Sequence, residues 1–243
     1  MTTYPDLHGK TAVISGAGGN LGIAVVRRLV AEGAVLALID MNAAGLEKRL
    51  AENNLDPAPM TIIGGVDLGK KADADSAVDQ IMAARGRIDV LINIAGGFKA
   101  DGPVHDMPEA VWDSLITLNL KTAVLLSAAG ARAMIAGGRG GRIVNIAARG
   151  GLTGIPGIAA YSASKSAVLR LTESMAGELM GHQITVNAVL PSVIDTPQNR
   201  AANPDEDYSK WVSPDSLADV IAFLVSAAAR DISGASIPVY GRA

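Results

Sequence analysis

Along the chain, short apolar runs without polar interruption alternate with longer stretches in which apolar residues recur every three or four positions. The first pattern predicts strands buried on both faces, and the second predicts helices packed over them. Thr11 to Ile14 is the first run, and it leads into Ser15-Gly-Ala-Gly-Gly-Asn-Leu-Gly22, after which Leu21, Val25 and Leu29 keep helical spacing toward Gly33. Further runs at Ala34 to Ile39, Met60 to Val66 and Ile88 to Ile94 end at Asp40, at Asp67-Leu68 and in Asn93-Ile-Ala-Gly-Gly97. An Ala-rich helix is expected over Ala72 to Ala84, a loop over Phe98 to Pro108, and a long helix from about Glu109 to Ala136. In that helix Trp112, Leu115, Ile116, Leu118 and Leu120 are assigned to the core, with Asn119 as the polar exception. Gly141 to Ala148 is a fifth strand, Arg149 to Ile158 a glycine-rich connection, and Tyr161 stands at the start of a helix with Val168, Leu171, Met175 and Leu179 as its buried stripe. A sixth strand over Ile184 to Leu190 stops at Pro191. Ser192 to Val212 is polar and punctuated by proline, which places a substrate lid at about residues 192–212. Ser213-Pro-Asp-Ser-Leu217 begins a last helix and Ser236 to Tyr240 closes the sheet. Regular alternation of this kind predicts one α/β domain over residues 1–243, with a doubly wound parallel sheet of about seven strands and helices on both faces.

Composition narrows the chemistry. The chain has 243 residues, 49% of them hydrophobic but only 3% aromatic, so its core is built from Ala, Val, Leu and Ile. A formal net charge of −3 without a single-sign run argues against nucleic-acid or membrane partners and for a small-molecule substrate. With no cysteine there is no disulfide, thiolate nucleophile or thiolate metal site. His8, His105 and His182 are scattered and lack metal spacing, so no metal is expected. Met1 to His8 carries no signal-like pattern and no apolar run reaches membrane-spanning length, which together suggest a soluble, cytoplasmic protein.

The candidate chemistry lies at the ends of the strands. Gly16, Gly18, Gly19 and Gly22 follow the first strand and open a helix, the place where backbone N–H groups and a helix N-terminus meet a pyrophosphate. Asp40 closes the second strand, where a carboxylate accepts hydrogen bonds from an adenine-ribose diol. It would repel a 2′-phosphate, and no Arg or Lys stands in the loop or just after it, so NAD is favoured over NADP. Asp40 also suits the role of cap for the helix near Ala43. Together these features make the sheet a Rossmann-type one. Tyr161 and Lys165 stand at i and i+4, on one face of a helix, where an ammonium can stabilise a phenolate.

These residues resemble the short-chain dehydrogenase/reductase family over essentially the whole chain. The likeness is carried by the loop from Ser15 to Gly22, Asp40, Asp67, Asn93-Ile-Ala-Gly96, Asn119, Tyr161-Ser-Ala-Ser-Lys165 and Pro191-Ser-Val-Ile-Asp-Thr196. The resemblance implies that Tyr161 is the acid/base, that Lys165 lowers its pKa and binds the nicotinamide ribose, and that Asn119 anchors a proton-relay water. It further implies a cofactor site formed by Gly16, Gly19, Asn20, Leu21, Gly22, Asp40, Met41, Asp67, Leu68, Asn93, Ala95, Gly96, Pro191, Val193 and Thr196 together with Tyr161 and Lys165. Family members form dimers or tetramers through the helices that correspond to Glu109 to Ala136 and Ala159 to Gly181, which implies a homodimer or homotetramer here.

The chain departs from the family pattern at four places: Asn20 replaces the middle loop glycine, Ile94 an asparagine, Ser192 a common glycine, and Ala148 the serine that polarises the substrate carbonyl. Between Ala128 and Ala160 the only hydroxyl side chain is Thr153. Three readings stay open: a secondary-alcohol or ketone enzyme, the 3-oxoacyl type included, with water or Thr153 filling the gap; an NADH-dependent reductase of a quinonoid or imine substrate; or a nucleotide-binding sensor or scaffold. The second rests on a local likeness to quinonoid dihydropteridine reductases over Leu190 to Arg200 and Pro204 to Trp211.

Overall fold

The computed structural model describes residues 3–100 and 102–242; Met1, Thr2, Asp101 and Ala243, and with them part of the expected N-terminal segment and of the 98–108 loop, lie outside the described residues. Seven strands form one sheet: β1 (Thr11–Ser15), β2 (Val35–Asp40), β3 (Thr61–Gly64), β4 (Val90–Asn93), β5 (Gly141–Ile146), β6 (Ile184–Pro191) and β7 (Ser236–Val239). Their order is β3-β2-β1-β4-β5-β6-β7, and every pairing is parallel. The strand order reverses between β1 and β4, so a crevice opens beyond their C-terminal ends, the usual ligand position in such sheets.

The described residues form α-helices α1 (Asn20–Ala31), α2 (Ala43–Glu52), α3 (Lys71–Arg85), α4 (Glu109–Ile116), α5 (Thr122–Gly137), α6 (Ala159–Leu179), α7 (Pro197–Ala202) and α8 (Pro214–Val225), most of which pack against the sheet. Neighbouring strand residues point to opposite faces. Ile14 and Leu38 thus join Val25, Leu217 and Ile221 in one core layer, while Val13 and Ile39 join Ile81, Leu126 and Met175 in the other. Because both faces are covered, the central strands are continuously buried, which explains the unbroken apolar runs.

Helix ends follow local chemistry. Ser213 accepts from the Ser216 N–H with Pro214 behind it, and Gly86 and Gly138 end α3 and α5 in the left-handed conformation. Asn42, not Asp40, caps α2, accepting from the Gly45 N–H at 2.9 Å. Asp40 lies two residues too early for that role.

The helix expected from Glu109 is interrupted by a π-helical turn at Thr117–Lys121 between α4 and α5. The wider turn shifts the register of everything before it relative to the sheet. Trp112 and Leu118 are accordingly exposed, at 39% and 40%, in place of the core role that uniform spacing assigned them, while Leu115 is buried. The continuous run Glu109–Gly137 is also long and apolar enough to cross a membrane by length and composition, contrary to the sequence expectation, but half of its most apolar window is buried inside the protein. Residues 192–212 are not structureless either: α7 and a short turn at Tyr208–Lys210 occupy them, and Ile194 bridges Val212.

Candidate active site

The glycine loop is shaped by close approaches that only hydrogen at Cα permits. Gly16 has φ +63°, and a Cβ there would lie 2.9 Å from the Ala95 backbone. At Gly22 it would stand 2.5 Å from the Ala17 carbonyl oxygen. Ser15 Oγ accepts from Ile94 N at 3.1 Å and Ala95 N at 3.2 Å, tying the ends of β1 and β4 together. The N-cap of α1 is Gly19, which offers no side chain to the first-turn N–H groups of Asn20, Leu21 and Gly22, and such groups suit an anion. This cradle fits a dinucleotide pyrophosphate.

Beside it lies a cavity of about 650 Å³ lined by Gly16, Asp40, Met41, Asp67, Leu68, Ala95 and Gly96 and, from the α4 side, by Asp113 and Thr117. Asp40 braces the loop, its Oδ2 accepting from Gly18 N and its Oδ1 from Asn42 N, both at 2.9 Å. Asp67 Oδ1 accepts from Gly69 N at 3.0 Å. Asn20, the replacement for a glycine, bridges three elements: it donates to Gln198 Oε1 on α7 at 2.7 Å and accepts from Arg49 Nη2 on α2 at 2.9 Å.

Asn119 is buried and held in the π-helical turn, where its amide pairs both ways with Gly97, accepting from N at 2.9 Å and donating to O at 3.0 Å. A Cβ on Gly96 would lie 2.8 Å from Asn119 Oδ1 and 3.4 Å from Lys165 Nζ, so these two polar groups converge on one glycine. Asn93 behaves differently. Its side chain is buried and donates to Ser127 Oγ and Asn145 Oδ1, both at 2.8 Å, so it ties β4 to β5 and α5 and leaves a cofactor only its backbone.

Tyr161 sits in the first turn of α6 and Lys165 one turn on. The turn Arg149–Gly151 is fastened against them by Ser166 Oγ donating to the Gly151 carbonyl at 2.5 Å. Lys165 is buried and donates to the Ile146 carbonyl at 2.8 Å, and burial pulls its pKa down to about 8. Burial also pushes the Tyr161 phenol up to about 12. Desolvation is the leading cause for both groups and disfavours the charged form of each. Phe98 packs edge-on against Tyr161, ring centroids 5.0 Å apart. A Cβ on Gly150 would touch Ile155 Cδ1 and Tyr161 Cε1 at 3.7 Å and Ile158 Cδ1 at 3.8 Å, so these three side chains gather over that glycine. Ala147 and Ala148 are buried, and Thr153 is exposed.

Beyond the sixth strand, Pro191 ends β6 in the interior, Val193 is exposed, and Thr196 caps α7 by accepting from Asn199 N at 3.2 Å. Ser15, Phe98 and the Arg49 and Gln198 partners of Asn20 were not singled out in the sequence. Only Ser15, a hydroxyl directly at a strand end, carried a local signal. Among the described residues no group of His, Asp or Glu is arranged to hold a metal ion.

The family model for short chain dehydrogenases matches residues 10–207. The chain belongs to that family. It is 37% identical over 189 residues to a sorbitol dehydrogenase of Cereibacter sphaeroides, covering 78% of this chain and 72% of the other. With the (3R)-3-hydroxyacyl-CoA dehydrogenase of Rattus norvegicus it shares 32% identity over 99% of this chain and 98% of the other. In three dimensions it is similar to an NAD+-bound xylitol dehydrogenase, with TM-score 0.87 and 30% identity over 97% of this chain and 99% of that one. The short-chain dehydrogenase is thus an oxidoreductase that uses a nicotinamide dinucleotide and transfers hydride to or from a small molecule.

Proposed function

We propose that this short-chain dehydrogenase uses NAD(H) in preference to NADP(H) to interconvert a secondary alcohol and its ketone. The observation that carries the reading is the convergence of Lys165 and Asn119 on Gly96, one helical turn from Tyr161. When bound, NAD(H) supplies or removes the hydride. Tyr161 holds the proton that the carbonyl oxygen gains or the alcohol loses. Lys165, with one of its three donors on Ile146, keeps the others for ribose hydroxyls and holds positive charge beside the phenol. Asn119 fixes Gly97 and the widened turn from which a relay water would be held. The pyrophosphate rests on the amides of Asn20, Leu21 and Gly22, with Gly16 and Gly19 shaping the turn beneath it. Asp40 and Met41 flank the adenine ribose, Asp67 and Leu68 flank the base, and Ala95, Gly96, Pro191, Val193 and Thr196 flank the nicotinamide. Preference for NAD follows from charge: Asp40, Asp67 and Asp113 line the cavity, and no Lys or Arg does.

The chain acts as one domain, with residues 192–212 as its lid. It works in the cytoplasm as a homodimer or homotetramer joined through the faces of α4, α5 and α6, to be checked by light scattering, where a monomer mass removes the oligomer. A second reading, reduction of a quinonoid or imine substrate, is favoured by the absence of a hydroxyl at Ala147 and Ala148. The test is direct: titrate the protein with NADH and NADPH by fluorescence, then assay ketones with the preferred cofactor. At least tenfold tighter NADH binding with ketone-dependent NADH oxidation is expected. Binding without oxidation of any carbonyl or imine would leave a nucleotide sensor in place of an enzyme.

A further inference from the structure

The wall around Tyr161 and the alanine at position 148 together limit what can be reduced. Hydride addition to a carbonyl carbon builds negative charge on its oxygen, and losing one preorganised donor to that oxygen slows such reactions by about a hundred- to a thousandfold. Among the described residues Tyr161 brings its phenol to this wall, whereas Ala147 and Ala148 are buried alanines and Thr153 faces solvent. Phe98 meets the phenol ring edge-on, and Tyr161 Cε1, Ile155 Cδ1 and Ile158 Cδ1 converge on the space over Gly150. Phe98, Leu152 and Ile155 are also largely exposed, at 64%, 54% and 45%, which leaves an apolar surface facing outward at the same place. A polyol brought against it would strip water from hydroxyls that find no partner there. An apolar substrate loses nothing, and one with an electron-withdrawing group next to its carbonyl carries within itself the activation that the protein lacks.

We propose that the preferred substrates are apolar vicinal diketones, reduced at one carbonyl to the hydroxyketone. This rests on the oxidoreductase reading above and narrows it. In the reaction the bound NADH gives a hydride to one carbonyl carbon. The π pair of that carbonyl moves to its oxygen, which takes the Tyr161 phenol proton, and the phenolate is reprotonated from solvent. Diketone, NADH and one proton thus become hydroxyketone and NAD+. The second carbonyl is unchanged; it makes the first more electrophilic, and the apolar skeleton sits on Phe98, Ile155 and Ile158.

The experiment compares camphorquinone, camphor and xylulose as oxidants of NADH in the parent, Ala148→Ser and Phe98→Ser proteins. The expected kcat/KM for camphorquinone exceeds those for camphor and xylulose by at least a hundredfold. Because a diketone is intrinsically the easier substrate, the decisive number is the camphorquinone-to-camphor ratio, which should fall at least tenfold in Ala148→Ser as the new hydroxyl helps the plain ketone more. Should Ala148→Ser not fold, Phe98→Ser serves: quenching of bound NADH fluorescence in a Tyr161→Phe background should show camphorquinone binding weakened about tenfold by Phe98→Ser. Comparable rates for camphor or xylulose in the parent, a ratio unmoved by Ala148→Ser, or binding unmoved by Phe98→Ser would overturn the proposal while leaving the oxidoreductase reading intact. If NADH binds and no carbonyl is reduced, it is the oxidoreductase reading itself that falls.

Discussion

On the glycine-loop side of the crevice the turns are fastened by polar side chains: Ser15 on Ile94 and Ala95, Asp40 on Gly18 and Asn42, Asn20 between Arg49 and Gln198. On the Tyr161 side the ring meets Phe98, and Ile155 and Ile158 gather with it over Gly150. In the first region these bonds fix the turns around α1, whose first-turn N–H groups at Asn20, Leu21 and Gly22 are left without a capping side chain. The second supplies one phenol, one buried ammonium and a carbon surface. Preorganisation is thus concentrated where the partner never changes, and the side that meets the variable partner is left chemically sparse.

The contrast is most easily broken at Tyr161. Tyr161→Phe should lower kcat for carbonyl reduction by roughly a hundred- to ten-thousandfold, the worth of a positioned acid, while NADH fluorescence titration still shows binding. Activity near the parent level would mean that the proton comes from elsewhere.

Next in size is the cost of burying Lys165. Its ordinary pKa of 10.5 falls to about 8 in the folded protein, so the folded state binds fewer protons than the unfolded chain between those values. Parent stability relative to Lys165→Met should therefore rise by about 3 kcal/mol as pH goes from 8 to 10.5, and the rise is absent if the ammonium is not desolvated. Urea melts of both proteins at the two pH values read it. Above pH 10 the raised Tyr161 phenol acts in the opposite sense, because the unfolded tyrosine ionises first and stability falls with further increase.

Gly22→Ala tests the rigidity of the loop. With backbone oxygens at 2.5 Å from the added methyl, destabilisation of about 1–3 kcal/mol is expected, together with weakened NADH binding. A variant with the parent's urea midpoint and affinity would show that the loop yields. The smallest effect concerns Asn20. Replacing it by Gly, or Gln198 by Ala, should speed NADH release a few-fold, and the two should couple by about 0.5–1 kcal/mol in a double-mutant cycle read by stopped flow. Additive effects would make the bridge ornamental.

Much of the fold was legible because buried parallel strands leave unbroken apolar runs and the order of strand ends places Gly16, Asp40, Gly96 and Tyr161 at one crevice. What was not legible depended on partners distant in sequence or on local departures from ideal geometry. Uniform helical spacing put Trp112 and Leu118 in the core, and the π-helical turn moved them out. Asp40 looked like a helix cap until Asn42 took the role two residues later. Asn93 matched a site motif, yet its side chain binds Ser127, 34 residues away, and Asn145, 52 away. The Tyr161–Lys165 spacing was plain, but the opposing pKa shifts follow from burial, which spacing does not report.

The turn at Thr117–Lys121 has a consequence for insertions and deletions. One residue of α-helix corresponds to about 100° of rotation, and the wide turn absorbs such a step between two helices that are otherwise collinear. Upstream of it Asp113 and Ser114 line the 650 Å³ cavity; downstream Leu126, Ala129 and Met134 grip the sheet. Deleting a single residue there would leave both helices individually sound yet turn one face away from its target. At this position the protein is sensitive to the count of residues as well as to their identity.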